Sequence, residues 1–327
     1  MKSWSRAGSL WRPSADDRPL AAGQAALYLM GTALVVTVFL RLRHEVFLWV
    51  QRLLGIAFVL GALHAVGMGG TADSFRPLRW YLYAVLAVGA AALAAHSLLG
   101  RVTVRHHHYR LRAITPLPAG IDDVRLTPRG HPMAFVAGQF AFLRFRHGGI
   151  AGEPHPFSMA SAPSDPELRF VVKELGDYTR HLREVTADAE AIVEGPYGGF
   201  SYRLVAGRDQ IWVAGGIGVA PFLSMAADLP PSGYRIELFY CYPDEAAAPF
   251  LDELDALDCA TGPLRIQRSC DRTDGVLTAD AIAARCGGLD GREFLLCGPP
   301  AMMHALRDQL RAHGVEQRRI HFEEFVF

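Results

Sequence analysis

Two short glycine turns in the C-terminal third have the residue types and spacing to hold a phosphate-bearing ligand. The first reads Gly215-Gly216-Ile217-Gly218-Val219-Ala220-Pro221 and follows the apolar run from Ile211 to Ala214. Glycines at a strand end let the backbone approach a pyrophosphate, and the helix that follows offers free N–H groups at the positive end of its dipole. Pro221 suits the first turn of that helix, where a missing N–H costs nothing. Glycines after a strand also serve as plain turn formers, so this turn alone is an incomplete signal. The second, Cys297-Gly298-Pro299-Pro300, closes another apolar run. Strand ends of one parallel sheet face one crevice, and two such turns there predict a dinucleotide site.

The elements needed to hold those turns are legible in the sequence rhythm. From Arg208 onward, strand-like runs around Ile211, Leu238, Ile266, Leu295 and Ile320 alternate with helical stretches, the pattern of a parallel α/β sheet. From about Val104 to Leu204 the runs are shorter, alternate in polarity and are broken by Pro and Gly, as in a small antiparallel β-barrel. The expected division is a barrel domain over 104–204 and a Rossmann-like domain over 205–327.

The chain has 327 residues, with 33 basic side chains balancing 33 acidic ones. That balance argues against a nucleic-acid binder and against a disordered chain. The mean hydropathy of +0.14 is high, and its source is the N-terminal third. Leu20–Leu40, Val46–Met68 and Trp80–Leu99 form three apolar segments whose only charge is Arg52. About 20 apolar residues cross a hydrocarbon core, so a three-helix transmembrane domain is expected over 20–100, after a tail at 1–19. Trp49, Trp80, Tyr81 and Tyr83 sit near segment ends, where interfacial rings belong. Arg41, Arg43, Arg52, Arg101, Arg105, Arg110 and Arg112 put the first turn and the C-terminal part on the cytoplasmic side of a cell membrane. The basic tail, with Lys2, Arg6, Arg12 and Arg18, breaks that rule, which leads to the expectation that the membrane part is incomplete as written. Cys241, Cys259, Cys270, Cys286 and Cys297 show no metal spacing and are expected as free thiols, and His106–His108 as a solvated junction.

With these residues in order, the chain resembles ferredoxin-reductase type flavoproteins, and within them the membrane branch of ferric reductases and NADPH oxidases. His155-Pro156-Phe157-Ser158 resembles the flavin motif, in which the aromatic packs on the flavin and the hydroxyl contacts the isoalloxazine. Gly176-Asp177-Tyr178-Thr179, just past Lys173, resembles the stretch that meets the FAD diphosphate, with Tyr178 in place of Trp. Glu194-Gly195-Pro196-Tyr197-Gly198 matches the turn closing the flavin domain. The resemblance covers 104–327 and implies FAD and NAD(P)H as cofactors. It implies that His155, Pro156, Phe157, Ser158, Lys173, Gly176, Tyr178 and Thr179 bind FAD. Gly215, Gly216, Ile217, Gly218, Val219, Pro221, Cys297, Gly298 and Pro299 would bind the nucleotide. By the same resemblance Ser158, Cys297 and the terminal Phe327 would stand at the reacting centre, with Cys297 leaving room for nicotinamide and Phe327 covering the flavin face until displaced. Strand-end residues Tyr242-Pro243-Asp244-Glu245 supply acids and no base, which leans toward NADH, although Arg268 and Arg272 could receive a 2′-phosphate.

The implied activity is hydride transfer from NAD(P)H to FAD and then single-electron transfer to a metal, haem or oxygen acceptor, by a membrane-anchored enzyme. Alternatives are a flavin reductase subunit of a larger membrane electron-transfer complex, whose partner would be a haem-bearing membrane subunit, and a non-catalytic membrane scaffold. The family's membrane part holds haem between His pairs. Here His64 matches one such position, Gln51 occupies its companion, and His44 and His96 lie at other depths. Haem is not expected from this chain alone.

Overall fold

The computed structural model describes residues 18–39, 44–67, 76–95, 105–146, 153–258 and 262–323. Residues Met1–Thr103 and Val104–Phe327 form two compact units.

In the first unit the apolar segments are helices α1 (Arg18–Phe39), α2 (His44–Gly67) and α3 (Arg76–Ala94). Small residues let them approach closely. Gly23 of α1 lies against the His64 ring of α2, so near that a Cβ would come within 2.5 Å of Nδ1, and Gly89 of α3 lies equally close under Phe58. Away from these contacts the surface is apolar: Leu34, Val38, Leu63, Trp80 and Val88 are all more than half exposed. Pro19–Phe39 and Arg76–Ala94 are long and apolar enough to cross a membrane by length and composition. Within α2 the apolar stretch that meets this composition is the shorter Leu53–Ala65.

The second unit starts with six strands: β1 (His106–Leu117), β2 (Ile121–Pro128), β3 (Phe140–Arg146), β4 (His155–Ser158), β5 (Leu168–Lys173) and β6 (Glu190–Tyr197). They form one antiparallel sheet in the order β4-β3-β6-β1-β2-β5. An antiparallel bridge between Met159 and Phe170 brings the two edges together and closes a barrel. Alternate residues, among them Leu111, Val124, Leu126, Leu143, Phe145, Phe170 and Val193, fill its interior. Strand β4 has no alternating pattern to reveal it, being four residues long with a proline inside.

The chain continues into five parallel strands, β7 (Asp209–Gly215), β8 (Arg235–Tyr242), β9 (Leu264–Cys270), β10 (Glu293–Cys297) and β11 (Ile320–Glu323), in the order β11-β10-β7-β8-β9. The first strand therefore lies in the middle. The chain winds outward through β8 and β9, then crosses to the other side of β7. The C-terminal ends of β7 and β10 flank the point of reversal, where open α/β sheets bind ligands. One-turn helix α4 (Asp177–Arg180) follows β5, and the parallel strands alternate with α5 (Ala220–Ala227), α6 (Leu251–Leu257), α7 (Asp271–Asp274), α8 (Ala279–Cys286) and α9 (Pro300–Ala312).

Barrel and parallel sheet share one continuous apolar core. Ile121, Ala160, Val171, Phe200 and Tyr202 pack with Trp212, Phe222, Leu223 and Met225. Phe222 is its centre, with ring centroids 5.5 Å from Trp212 and 5.6 Å from Phe200. Ser224 Oγ donates to the Ser161 carbonyl at 2.7 Å. The 204/205 division drawn from sequence thus runs between segments whose side chains bury one another. Phe222→Ala is expected to cost about 3–5 kcal/mol, the range for a fully buried aromatic, and to lower the thermal midpoint without removing far-ultraviolet helix or sheet signal.

Candidate functional site

Strand register brings the first group of predicted residues together. His155 pairs with Leu143, Phe157 with Ala141 and Ser158 with Phe140; Phe140 pairs in turn with Tyr197 on its other side. Ser158 and Tyr197 thus lie in one row across β4, β3 and β6. The His155 and Tyr178 rings lie 3.9 Å apart at 31°, joining β4 to α4. Burial holds the Tyr178 hydroxyl well above its ordinary pKa, so it stays neutral. Phe157 lies 6.4 Å from Phe170, edge to face, on the rim of the barrel core. Ser158 Oγ is buried with no hydrogen-bond partner, a condition that costs about 1–3 kcal/mol unless a bound molecule relieves it.

Thr179 shapes the loop between β5 and α4. Its Oγ1 accepts from the backbone N–H groups of Leu175 at 2.9 Å and Gly176 at 3.1 Å. Those two amides are therefore engaged, and α4 is only four residues long. Thr179 thus ties down the loop before α4, which begins at Asp177, and Lys173 is exposed at the end of β5.

The second group meets at the reversal of the parallel sheet. Gly216–Val219 makes a 3-10 turn, and α5 begins at Ala220 with Pro221 in its first turn. Gly218 has room for no side chain: a Cβ would come within 2.3 Å of the Cys297 carbonyl oxygen. Gly298 has φ +157 and a Cβ there would lie 2.9 Å from Gly215 Cα. Gly215, Gly218, Cys297 and Gly298 thus hold the two turns against each other, backbone to backbone. Gly216 differs. Its φ is +53, in the left-handed region, and nothing lies within 4 Å of its missing Cβ. Of these glycines it is the one that fronts open space.

Sequence reading assigned no role to Glu323. It pairs with Cys297 at the end of β11, and its Oε1 lies 3.7 Å from the Cβ position of Gly198. It therefore stands where the barrel's closing turn meets the nucleotide turn. Burial raises its carboxyl pKa. Cys297 is fully buried, and burial, with Glu323 beside it, lifts its thiol well above the ordinary value. A protonated, inaccessible thiol is a spacer and not a nucleophile. The only sequence signal for Glu323 was its place at the end of a short strand.

Beyond β8, both arginines that could have received a 2′-phosphate are engaged. Arg272 pairs with Asp244 at 2.9 Å, and Arg268 pairs with Asp255. Phe327 lies outside the described residues, as do Gln51's side chain and His96. His64 Nδ1 is hydrogen-bonded to the Pro19 carbonyl at 2.8 Å. Among the described residues no group of three or more His, Cys, Asp or Glu could hold a metal ion.

A family model for an FAD-binding domain matches residues 119–201, and one for an oxidoreductase NAD-binding domain matches residues 212–308. The reductase component of propane 2-monooxygenase from Rhodococcus jostii (strain RHA1) is 27% identical over 250 residues, 70% of this chain and 66% of that protein. The ferredoxin–NAD(P)(+) reductase component of the naphthalene 1,2-dioxygenase/salicylate 5-hydroxylase systems of a Ralstonia species is 29% identical, over 65% of this chain and 67% of its own length. The phenol hydroxylase P5 protein of Acinetobacter pittii (strain PHEA-2) is 30% identical, over 65% and 64%. The chain thus spans about two thirds of these relatives. A cytochrome P450 reductase of Amycolatopsis shares the fold at TM-score 0.57 and 22% identity, over 68% of this chain and 70% of its own. So does a ferredoxin NADP+ reductase from Neisseria gonorrhoeae, at TM-score 0.57 and 19% identity, over 67% and 98%.

FAD-binding and NAD-binding domains of the ferredoxin-reductase superfamily are therefore present, and FAD and NAD(P)H are the cofactors. Of the relatives named, those from Rhodococcus and Ralstonia are reductase components of oxygenase systems, and none is described as a ferric reductase or NADPH oxidase, the branch that the sequence resemblance favoured. The residues fit both groups. Ser158 offers a buried hydroxyl in need of a partner, and Gly216 an open backbone position.

Two contrasts test this geometry. Ser158→Ala is expected to leave apoprotein stability unchanged or slightly raised, since it removes an unsatisfied group, while FAD affinity falls roughly tenfold, the effect of about 1.4 kcal/mol. Gly218→Ala is expected to unfold the sheet or lower its thermal midpoint sharply. Gly216→Ala should fold at a cost of about 1 kcal/mol for its left-handed backbone and lose nucleotide affinity, read by fluorescence titration.

Proposed function

We propose that this chain is an NADH-dependent FAD reductase that hands electrons to a separate protein acceptor, as the reductase subunit of a larger electron-transfer system. The observation that carries the reading is the meeting of the two groups of residues. The Ser158–Phe140–Tyr197 row leads through Gly198 to Glu323, and Glu323 pairs with Cys297 at the nucleotide turn. Bound FAD supplies the conversion of a two-electron donor into one-electron deliveries. The protein binds and orients. Phe157 and the tilted His155–Tyr178 pair offer ring surfaces, Ser158 a hydroxyl, and Thr179 fixes the loop beside Lys173. Buried Cys297 leaves space at the end of β10 without competing as a nucleophile. No acid–base pair is required.

The protein-acceptor reading is preferred to a free metal, haem or oxygen acceptor because two of the named relatives are reductase components of oxygenase systems. NADH is preferred because Asp244, just after the second strand, can accept from a ribose hydroxyl, and Arg268 and Arg272 are already paired with carboxylates. We further propose that α1 and α3 hold the chain in a membrane, with the flavin and nucleotide domains on the cytoplasmic side. Their exposed apolar surfaces and their length support this. Haem ligation by His64 forms no part of the proposal.

Detergent-purified protein should be yellow, and NADH should bleach it under anaerobic conditions; colourless protein that takes up no FAD would overturn the reading. NADH should be oxidised with a higher kcat/KM than NADPH. Asp244→Ser, by releasing Arg272, should narrow that ratio by roughly tenfold or more, the effect of one charge-assisted contact. Fractionation should leave the native chain in the membrane pellet after a high-salt wash.

A further inference from the structure

Arg169 meets two carboxylates and an aromatic ring, and its role lies outside the site so far described. It stands on β5 of the barrel and is almost entirely buried. Its Nε donates to Asp123 of β2 at 2.9 Å, while Nη1 and Nη2 form a fork onto both carboxylate oxygens of Glu253 at 2.5 and 3.0 Å. The guanidinium carbon also lies 5.9 Å from the ring of Phe250. Glu253 and Phe250 belong to the segment that leaves β8, passes Asp244 and forms α6. A planar fork on a carboxylate fixes direction as well as distance.

The segment is pinned from three sides. Arg272 holds Asp244 and Arg268 holds Asp255, both from the β9–α7 side of the same sheet. Phe250 and Leu254 enter the shared core. Arg169 is the tie whose own strand belongs to the flavin barrel. Asp244 follows the second strand of the nucleotide sheet, the position that meets the adenosine ribose, whereas the nicotinamide must reach the barrel. A dinucleotide thus bridges two subsites, one on the segment and one at the barrel, and the gain from binding both at once depends on a fixed spacing between them.

We propose that Arg169, through Glu253, is a positioning residue that sets the distance between the adenosine subsite and the flavin, and so selects for the intact dinucleotide. The proposal rests on the reductase reading above. Its signature is a loss confined to ligands that span both subsites.

The test uses FAD-loaded full-length protein and the variants Glu253→Gln and Arg169→Lys. Equilibrium titration of NAD+ should give a Kd raised roughly tenfold in each variant, a loss of about 1.4 kcal/mol. The Kd of AMP alone and the rate of flavin reduction by reduced nicotinamide mononucleotide, each occupying one subsite, should match wild type. Steady-state kinetics should show the rise in KM for NADH with little change in kcat. Glu253→Gln keeps the shape and polarity of a partly exposed side chain, and so covers the case in which Arg169→Lys fails to fold. If AMP affinity falls in step with that of NAD+, the clamp shapes the adenosine subsite itself and the spacing proposal is wrong. Unchanged NAD+ affinity overturns it as well. A wild-type protein that neither binds FAD nor oxidises NADH sinks the reductase reading instead, and is recognised before any variant is made.

Discussion

The second unit depends on one close approach, that of the turn after β7 to the turn after β10. The Gly218 backbone lies under the Cys297 carbonyl, and Gly298 lies on Gly215, at separations that exclude any Cβ. Parallel strands cannot be joined by tight hairpins, so two strands that are adjacent in the sheet but 78 residues apart in sequence must be brought together by their neighbours and locked by fit. Once locked, the two strand ends make one crevice. The same contact places Cys297 beside Glu323 and Glu323 beside the barrel's closing turn, so the nucleotide turn and the flavin row are not separately adjustable parts.

Much of this was legible in the sequence because strand rhythm and punctuation agree with the fold. All five parallel strands were readable as strand-like runs alternating with helical stretches, and β7 is buried from Gln210 to Gly215, as a strand covered on both faces should be. The glycines stood out by type, but type alone does not separate Gly216, which faces open space, from Gly218 and Gly298, which face backbone. Strand β4 was legible only as a motif, since four residues carry no period. The Arg169–Glu253 fork was not legible at all, and Glu323 only as the end of a short strand: the fork joins side chains 84 residues apart, and the neighbours of the Glu323 carboxylate come from other strands. Charge pairs over such distances leave no local trace, because any of the 33 basic residues could have met any of the 33 acidic ones.

The N-terminal helices illustrate the reverse case. Their apolar composition was plain, and their small residues found a use that composition does not specify. Gly23 makes room for His64, whose ring then bonds the Pro19 carbonyl. The first-read candidate for a metal ligand thus has a structural task in fastening α2 to α1. The histidine drew attention because it matches a haem-ligand position of the resembling family; a polar ring in an apolar segment needs a partner, and here the partner is a backbone carbonyl.

The barrel is closed at a narrow seam. Between β4 and β5 there is one bridge, Met159 to Phe170, supported by the Ala160 amide on the Arg169 carbonyl at 2.8 Å, whereas every other neighbouring pair of strands shares a ladder of four residues or more. Few cross-links make a region the least costly to part. That seam begins one residue after Ser158, so the flavin row borders the stretch of wall with the fewest strand-to-strand cross-links, while the rest of the cylinder keeps its weave.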